Sequence, residues 1–241
     1  IDVLDMETEM RKIFLLSFIV FALLTFMQPS FAWDVKTTDD LQSRMNSVGF
    51  RILNSNRIDK RFTFMAINRV YTRDFWTDVS SVNRTIWVKP VVIPYIDSDD
   101  ELAAILSHSI AHGVDSYEGV LRGYISVLNY WVAPNKYDLK ADKMAVDYMV
   151  NADYNPLALI TILNKIGKQY RYDVLSNHTL VSRRMMLIYE YIYTKYPHIL
   201  VENGYKDNLY YQNFLLISRD NRMKLLNKIQ TNSKSKIKYS Y

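Results

Sequence analysis

Glycine and proline each occur only six times in 241 residues. With so few residues that free or break the backbone, the chain is committed to long helices joined by few tight turns. A composition of 49% hydrophobic and 23% charged residues excludes wholesale disorder and collagen-like repeats. The length permits a sizeable core in one domain, or in two small ones at most. Cysteine is absent, which removes disulfide frameworks, thiolate metal sites, a cysteine nucleophile and a lipid-modified cysteine together. Nineteen tyrosines and ten phenylalanines are expected to fill the core or line a groove.

Near the start, Arg11 and Lys12 precede an apolar run from Ile13 to Met27, broken only by Ser17 and Thr25. That run is short for a bilayer span, which needs about 20 residues. Ser30-Phe31-Ala32 then fits a signal-peptidase site, so residues 1–32 read as a secretory signal cleaved after Ala32. An uncleaved N-terminal anchor is the alternative. Residues 1–9 are acidic, unlike a signal n-region, so Met6 or Met10 is the expected start. Without residues 1–32 the chain keeps 28 bases and 21 acids, a charge of +7. An exported, basic protein, periplasmic or secreted, is expected to be drawn to anionic envelope surfaces. The bases are scattered, apart from Lys234, Lys236 and Lys238 in a tail over 231–241 that is expected to fray. No nucleic-acid-binding motif is present.

Helical spacing over Asp40–Asn54 sets Leu41, Met45, Val48 and Ile52 on one side. Phe62–Ile67 and Thr85–Val88 read as short strands, with a polar, aromatic loop over Tyr71–Asn83 between them. Pro90–Ile96 is ambiguous. Asp97 or Ser98 can cap a helix that has Glu101 in its first turn and continues through His108 and His112 towards Tyr117. Further helices are expected over Tyr117–Val132, stopped by Pro134, and over Tyr137–Asn151. Others are expected from Asn155-Pro156 to about Tyr170, over Ser182–Tyr196, and over Tyr210–Ile229. The fold class is α+β, mainly α-helical with a small sheet, in one domain over 33–230.

His108-Ser109-Ile110-Ala111-His112 places two histidines at i and i+4 on one helical face, where they can share a metal ion. Taken alone this pair is a weak signal. In context, Asp99 to His112 (D-D-E-L-A-A-I-L-S-H-S-I-A-H) resembles the active-site helix of the HtpX- and BepA-like zinc peptidases, a gluzincin family with a typical D-E-L-A-x-x-L-x-H-E-I-A-H run. Asp138-Leu139-Lys140-Ala141-Asp142 is similar to that family's E-x-E-A-D element. Met149 to Pro156 (M-V-N-A-D-Y-N-P) resembles its Y-M-x-x-A-G-Y-D-P continuation. His178 and Arg184 match the spacing of its H-P-x-x-x-x-R element, and Ile52 to Phe64 resembles the lead into its first strand. The resemblance covers about Gly49 to Ile188.

It implies a gluzincin-like helical core with a small edge sheet, and a bound Zn2+. His108 and His112 would be ligands, with Asp138 in place of the third, usually glutamate, ligand. Asp142 would receive a ligand histidine's other N–H and fix its tautomer. His178 would face the metal from across the cleft, and Arg184 would brace its loop. Thr85, Ile86, Trp87 and Val88, within Arg84–Lys89, would form the edge strand that pairs with an extended polypeptide substrate.

The departures are equally specific. Ser109 occupies the place of the family's glutamate, the carboxylate that takes a proton from the attacking water and passes it to the leaving amine. A serine hydroxyl has no useful basicity near neutral pH, and losing such a group costs about 10²–10⁴-fold in rate. Asp138 is one methylene shorter than glutamate, so its helix must sit closer or a water must bridge; it also reads as an ordinary acid at a helix N-terminus. No glycine-containing substrate loop precedes the strand, His112 and Asp138 are only 26 positions apart, and Thr179 replaces a proline. Asp115, on the face of both histidines, can be a substitute base or ligand, or a solvated helix-end acid. The expectation is an exported metalloendopeptidase-like protein, acting on envelope proteins with impaired catalysis. The alternative is a non-catalytic pseudopeptidase that binds polypeptides or partner proteins.

Overall fold

A computed structural model describes residues 35–66, 78–79, 84–88, 90–115, 134–167, 181–233 and 235–239. The chain divides into two compact units, 1–35 and 36–241, and the fold described is that of the second. The expected signal segment, the helix over Tyr117–Val132, and His178 lie outside the described residues.

Eight helices and a small sheet make up the described residues: α1 (Val35–Ser55), β1 (Thr63–Ala66), β2 (Asp78–Val79), β3 (Thr85–Val88), a 3-10 segment over Pro90–Tyr95, α2 (Asp99–Asp115), α3 (Pro134–Asn151), α4 (Leu157–Ile166), α5 (Val181–Lys195), α6 (Pro197–Val201), α7 (Leu209–Ile217) and α8 (Arg219–Gln230). The mainly helical α+β expectation therefore holds. None of these helices is long and apolar enough to cross a membrane.

Helix α1 starts five residues before the expected Asp40 and buries Leu41, Met45, Val48 and Ile52 along one stripe. Gly49 lets it lie close over the sheet, because a Cβ there would meet the Phe64 ring at 2.4 Å. Just past its last residue, Ser55, Arg57 is held at φ 53. There Ile58 N–H donates to Leu53 O and Arg57 N–H to Asn54 O, the two bonds of a Schellman motif. Asp153 after α3 and Asn232 after α8 repeat the pattern at φ 58 and 49, with the corresponding bonds to Met149 and Val150, and to Lys228 and Ile229. Three helices thus close through left-handed residues that are not glycine, which is how the chain manages with six.

The strand order is β1-β3-β2, with β1 parallel and β2 antiparallel to β3. Thr85–Val88 is a strand as expected but is not an edge. It has neighbours on both sides, β2 meeting it at Ile86 and Trp87. Thr85, Ile86 and Val88 are buried. The short β2 falls inside the stretch read as a loop, because β3 has a second side whose backbone groups need partners. The outer edge of β1 is covered by a side chain: Gln42 accepts from Ala66 N–H and donates to Phe64 O, each at 2.8 Å.

Helix α2 is the centre of the molecule, buried from Glu101 to Ala111 and packed against α3, α4, β2 and β3. Its start is the expected capping box. Ser98 Oγ accepts from Glu101 N–H, and the Glu101 carboxylate accepts from Asp97 N–H. Lys165 on α4 completes this end. Its side chain is only 2% exposed, and its ammonium lies 2.5 Å from Asp97 and 2.7 Å from Glu101.

Four other boundaries differ from expectation. Pro134 begins α3, three residues before the expected Tyr137, its fixed φ suiting a first helical position. Helix α4 stops at Ile166, well before Tyr170, because Gly167 turns extended against Val181. Pro197 starts the short α6, a helix not expected there. The single helix expected over Tyr210–Ile229 is two, broken at buried Ser218, whose Oγ donates to Phe214 O while Arg222 donates to Leu215 O. Phe214 O also keeps its helical bond from Ser218 N–H, and the Arg222 bond serves Leu215 O at the break. The tail is not uniformly frayed either: Ile237 and Tyr239 pack on the core, and Tyr239 Oη donates to Glu190 at 2.7 Å.

Two outcomes follow from this frame. Left-handed backbone costs a non-glycine residue about 1–2 kcal/mol, so Arg57→Gly should raise the urea-unfolding free energy by up to about 1 kcal/mol once glycine's added chain entropy is deducted; no rise would contradict the assignment. Burial opposes the charge on Lys165, yet the hydrogen bonds with Asp97 and Glu101 outweigh it and hold its pKa above 10.5. The stability it brings is complete below pH 10.5 and is lost as pH rises through the higher folded value. Lys165→Met should cost about 3–5 kcal/mol near neutrality by leaving Glu101 unpaired, and the deficit should shrink above pH 10.5.

Candidate metal centre

The two histidines stand one turn apart on α2, where His108 is buried and His112 nearly so. Their rings meet edge to face with centroids 4.7 Å apart, and the two Nε2 atoms are separated by 3.1 Å. Asp138, one turn inside α3, brings Oδ1 to 3.4 Å from His112 Nε2. One ligand atom from each of the three residues lies within 4.8 Å of the others. A buried group of two imidazoles and a carboxylate at such separations can hold a metal ion.

Helix α3 carries more of the site than its one candidate ligand. Asp138, Ala141, Asp142 and Ala145 share one face and are all buried. The two alanines are small enough to let α3 lie close to α2, which answers the missing methylene of Asp138. One turn beyond Asp138, Asp142 Oδ1 lies 2.9 Å from His108 Nδ1. Arg184 on α5 grips the same carboxylate with a fork, Nη2 to Oδ1 at 2.7 Å and Nε to Oδ2 at 2.8 Å. Arg184 was expected to brace the His178 loop, which lies outside the described residues; among the described residues it holds Asp142. The sequence could not show this pairing, since 42 positions separate the two and no local pattern links them.

The charges are arranged consistently. Burial works against ionisation of Asp142, but the Arg184 charge and the hydrogen bonds from Arg184 and His108 overcome it and hold the carboxyl far below its ordinary 3.8. Burial pushes the His108 imidazole below its usual value despite Asp142, which favours the neutral ring. A neutral His108 with its proton on Nδ1, facing Asp142, has Nε2 as a bare acceptor. Asp138 is also held low: burial opposes this, and the His112 hydrogen bond and the Arg184 charge prevail. The centre therefore combines one neutral imidazole, a second imidazole and an ionised carboxylate, a set suited to a cation.

Ser109 is fully buried on α2 and supplies neither a carboxylate nor a base. Asp115 is ion-paired with Lys140 and is not part of the ligand group, so the structure gives it a partner other than the metal centre. Tyr191 and Tyr196 both donate to Asp147 on α3, and Tyr210 lies beneath Lys165; these rings pack and brace.

Arg184→Met strands a buried carboxylate and should cost about 3–5 kcal/mol of unfolding free energy. Arg184→Lys retains the charge but not the fork, so it should recover only part of the loss. Full recovery by lysine in urea unfolding would contradict the bidentate role. Compared with protein-family models and with curated protein sequences, the chain matches none.

Proposed function

We propose that this chain is a zinc protein of the metallopeptidase type that its motifs resemble, exported to the cell envelope, engaging polypeptides there and hydrolysing them slowly if at all. The observation that carries the reading is the convergence of one ligand atom each from His108, His112 and Asp138 within 4.8 Å, with Asp142 behind His108. Around a tetrahedral zinc with ligand distances of about 2.0–2.2 Å, neighbouring ligand atoms are about 3.3–3.6 Å apart. The His108–His112 and His112–Asp138 separations, 3.1 and 3.4 Å, are close to such edges. The nitrogen-rich donor set favours zinc over hard cations such as calcium or magnesium, which prefer all-oxygen shells. Export rests on the apolar run over Ile13–Met27 and the Ser30-Phe31-Ala32 site.

Bound there, zinc would supply Lewis-acid polarisation of a peptide carbonyl and acidify water at neutral pH. The chain's own part is to hold the ion. Asp142, locked by Arg184, keeps the His108 proton on Nδ1 and directs Nε2 at the ion. Ser109 takes no proton from water and returns none to a leaving amine, so the step usually shared by a carboxylate has no carrier at that position. That deficit favours the second reading, a non-catalytic binder of polypeptides, on a specific observation: Ser109 is 0% exposed.

Zinc titration calorimetry should give one site, abolished by His108→Ala and weakened about 10–100-fold by Asp142→Asn. Zinc uptake by His108→Ala equal to that of the wild type would overturn the site. Ser109→Glu should raise chelator-sensitive cleavage of an unfolded protein by about 10²–10⁴-fold. A folded, zinc-loaded Ser109→Glu variant that stays inert would leave the polypeptide-binding reading in possession.

A further inference from the structure

The C-terminal helices carry a surface that neither the metal centre nor the core uses. From Leu209 to Tyr241 there are seven lysines and arginines and a single acid, Asp220, so this stretch of +6 exceeds the +5 of the whole chain. On α7 the inward face is Tyr211 and Phe214, while Leu209 and Leu216, two turns apart on the opposite face, are 77% and 74% exposed. Ile217 beside them and Met223 on α8 are each 53% exposed. Arg219, one turn before Met223, is exposed as well. The tail adds to this charge. Ile237 and Tyr239 turn inward and Lys236 and Lys238 outward, and Glu190 receives both Tyr239 and, from α8, Lys228, so the tail lies beside α8.

We propose that α7, α8 and the docked tail form a docking surface for an anionic lipid membrane, with Leu209, Leu216, Ile217 and Met223 entering the headgroup region and Arg219, Lys236 and Lys238 meeting lipid phosphates. The two halves of the surface together select this occupant. A nucleic acid would answer the charge but leave large aliphatic side chains in water. A second copy would cover the aliphatic side chains but bring two strongly basic surfaces together. An anionic bilayer takes both, since exposed aliphatic groups insert at the interface while basic residues are attracted to its negative potential. This surface is independent of whether zinc binds at the histidines.

The test is flotation of the full chain with vesicles of phosphatidylcholine alone and with roughly a third phosphatidylglycerol. The expected result is a strong, salt-sensitive preference for the anionic vesicles. Arg219→Gln/Lys236→Gln/Lys238→Gln should lose about a hundredfold of affinity for them, and Leu216→Gln/Ile217→Gln roughly tenfold. All five positions are exposed, so unchanged melting temperatures should accompany these losses, and the untouched N-terminal segment serves as a common background. Equal binding to both vesicle types would overturn the proposal, as would an anionic preference unaffected by the triple variant. Binding of a duplex oligonucleotide as tight as that of anionic vesicles would replace the membrane with nucleic acid. A dimer in solution that Leu216→Gln/Ile217→Gln dissolves would replace it with a second copy.

Discussion

The arrangement of the candidate centre depends on one buried carboxylate held from two sides. Asp142 has almost no access to water, and an isolated charge there would cost several kcal/mol. Arg184 removes that cost with a two-bond fork, and in doing so ties α5 to α3. His108 takes up the remaining capacity of Oδ1 and ties α3 to α2. One ion pair therefore joins three helices and fixes the tautomer of the histidine in the centre. Removing Arg184 disturbs packing and site together, because the same atoms serve both.

Around that tie the molecule is a helical core with its chemistry pointed inward. Helix α2 is capped by Ser98 and Glu101 and clamped at that end by Lys165, which leaves its later turns rigidly placed for His108 and His112. Close approach of α3 through Ala141 and Ala145 sets Asp138 within reach. Among the described residues, neither Ser109 nor Asp115 offers the centre a free proton carrier. Ser109 sits where the resembled family has its carboxylate, and Asp115 is engaged by Lys140. Under the proposed function, a cation seated at such a group without a carboxylate at position 109 is better fitted to binding than to fast turnover.

Much of this was legible in the sequence where the signal is local. The apolar spacing of Leu41, Met45, Val48 and Ile52, the Ser98–Glu101 cap, the strand at Thr85–Val88 and the i, i+4 histidines each depend on neighbours within a turn or two. Features set by long-range partners were not legible. Nothing near Arg184 announces Asp142, and nothing near Thr85–Val88 announces that β2 closes its second side. The break at Ser218 depends on Arg222 and buried carbonyls that a helical period does not reveal. Left-handed Arg57 and Asp153 escaped for a related reason: the Schellman bonds tolerate them where composition alone would ask for glycine. His178 belongs to a stretch outside the described residues.

The account stands on a cation seated between two imidazoles and an aspartate. X-ray absorption at the zinc edge, on the full chain loaded with one equivalent of zinc, tests it most directly. The predicted spectrum is four-coordinate, with two imidazole nitrogens and two oxygens at about 2.0–2.2 Å, and with the imidazole signal lost in His108→Ala. A six-coordinate, all-oxygen shell, or a protein that takes up no zinc while remaining folded, would contradict it.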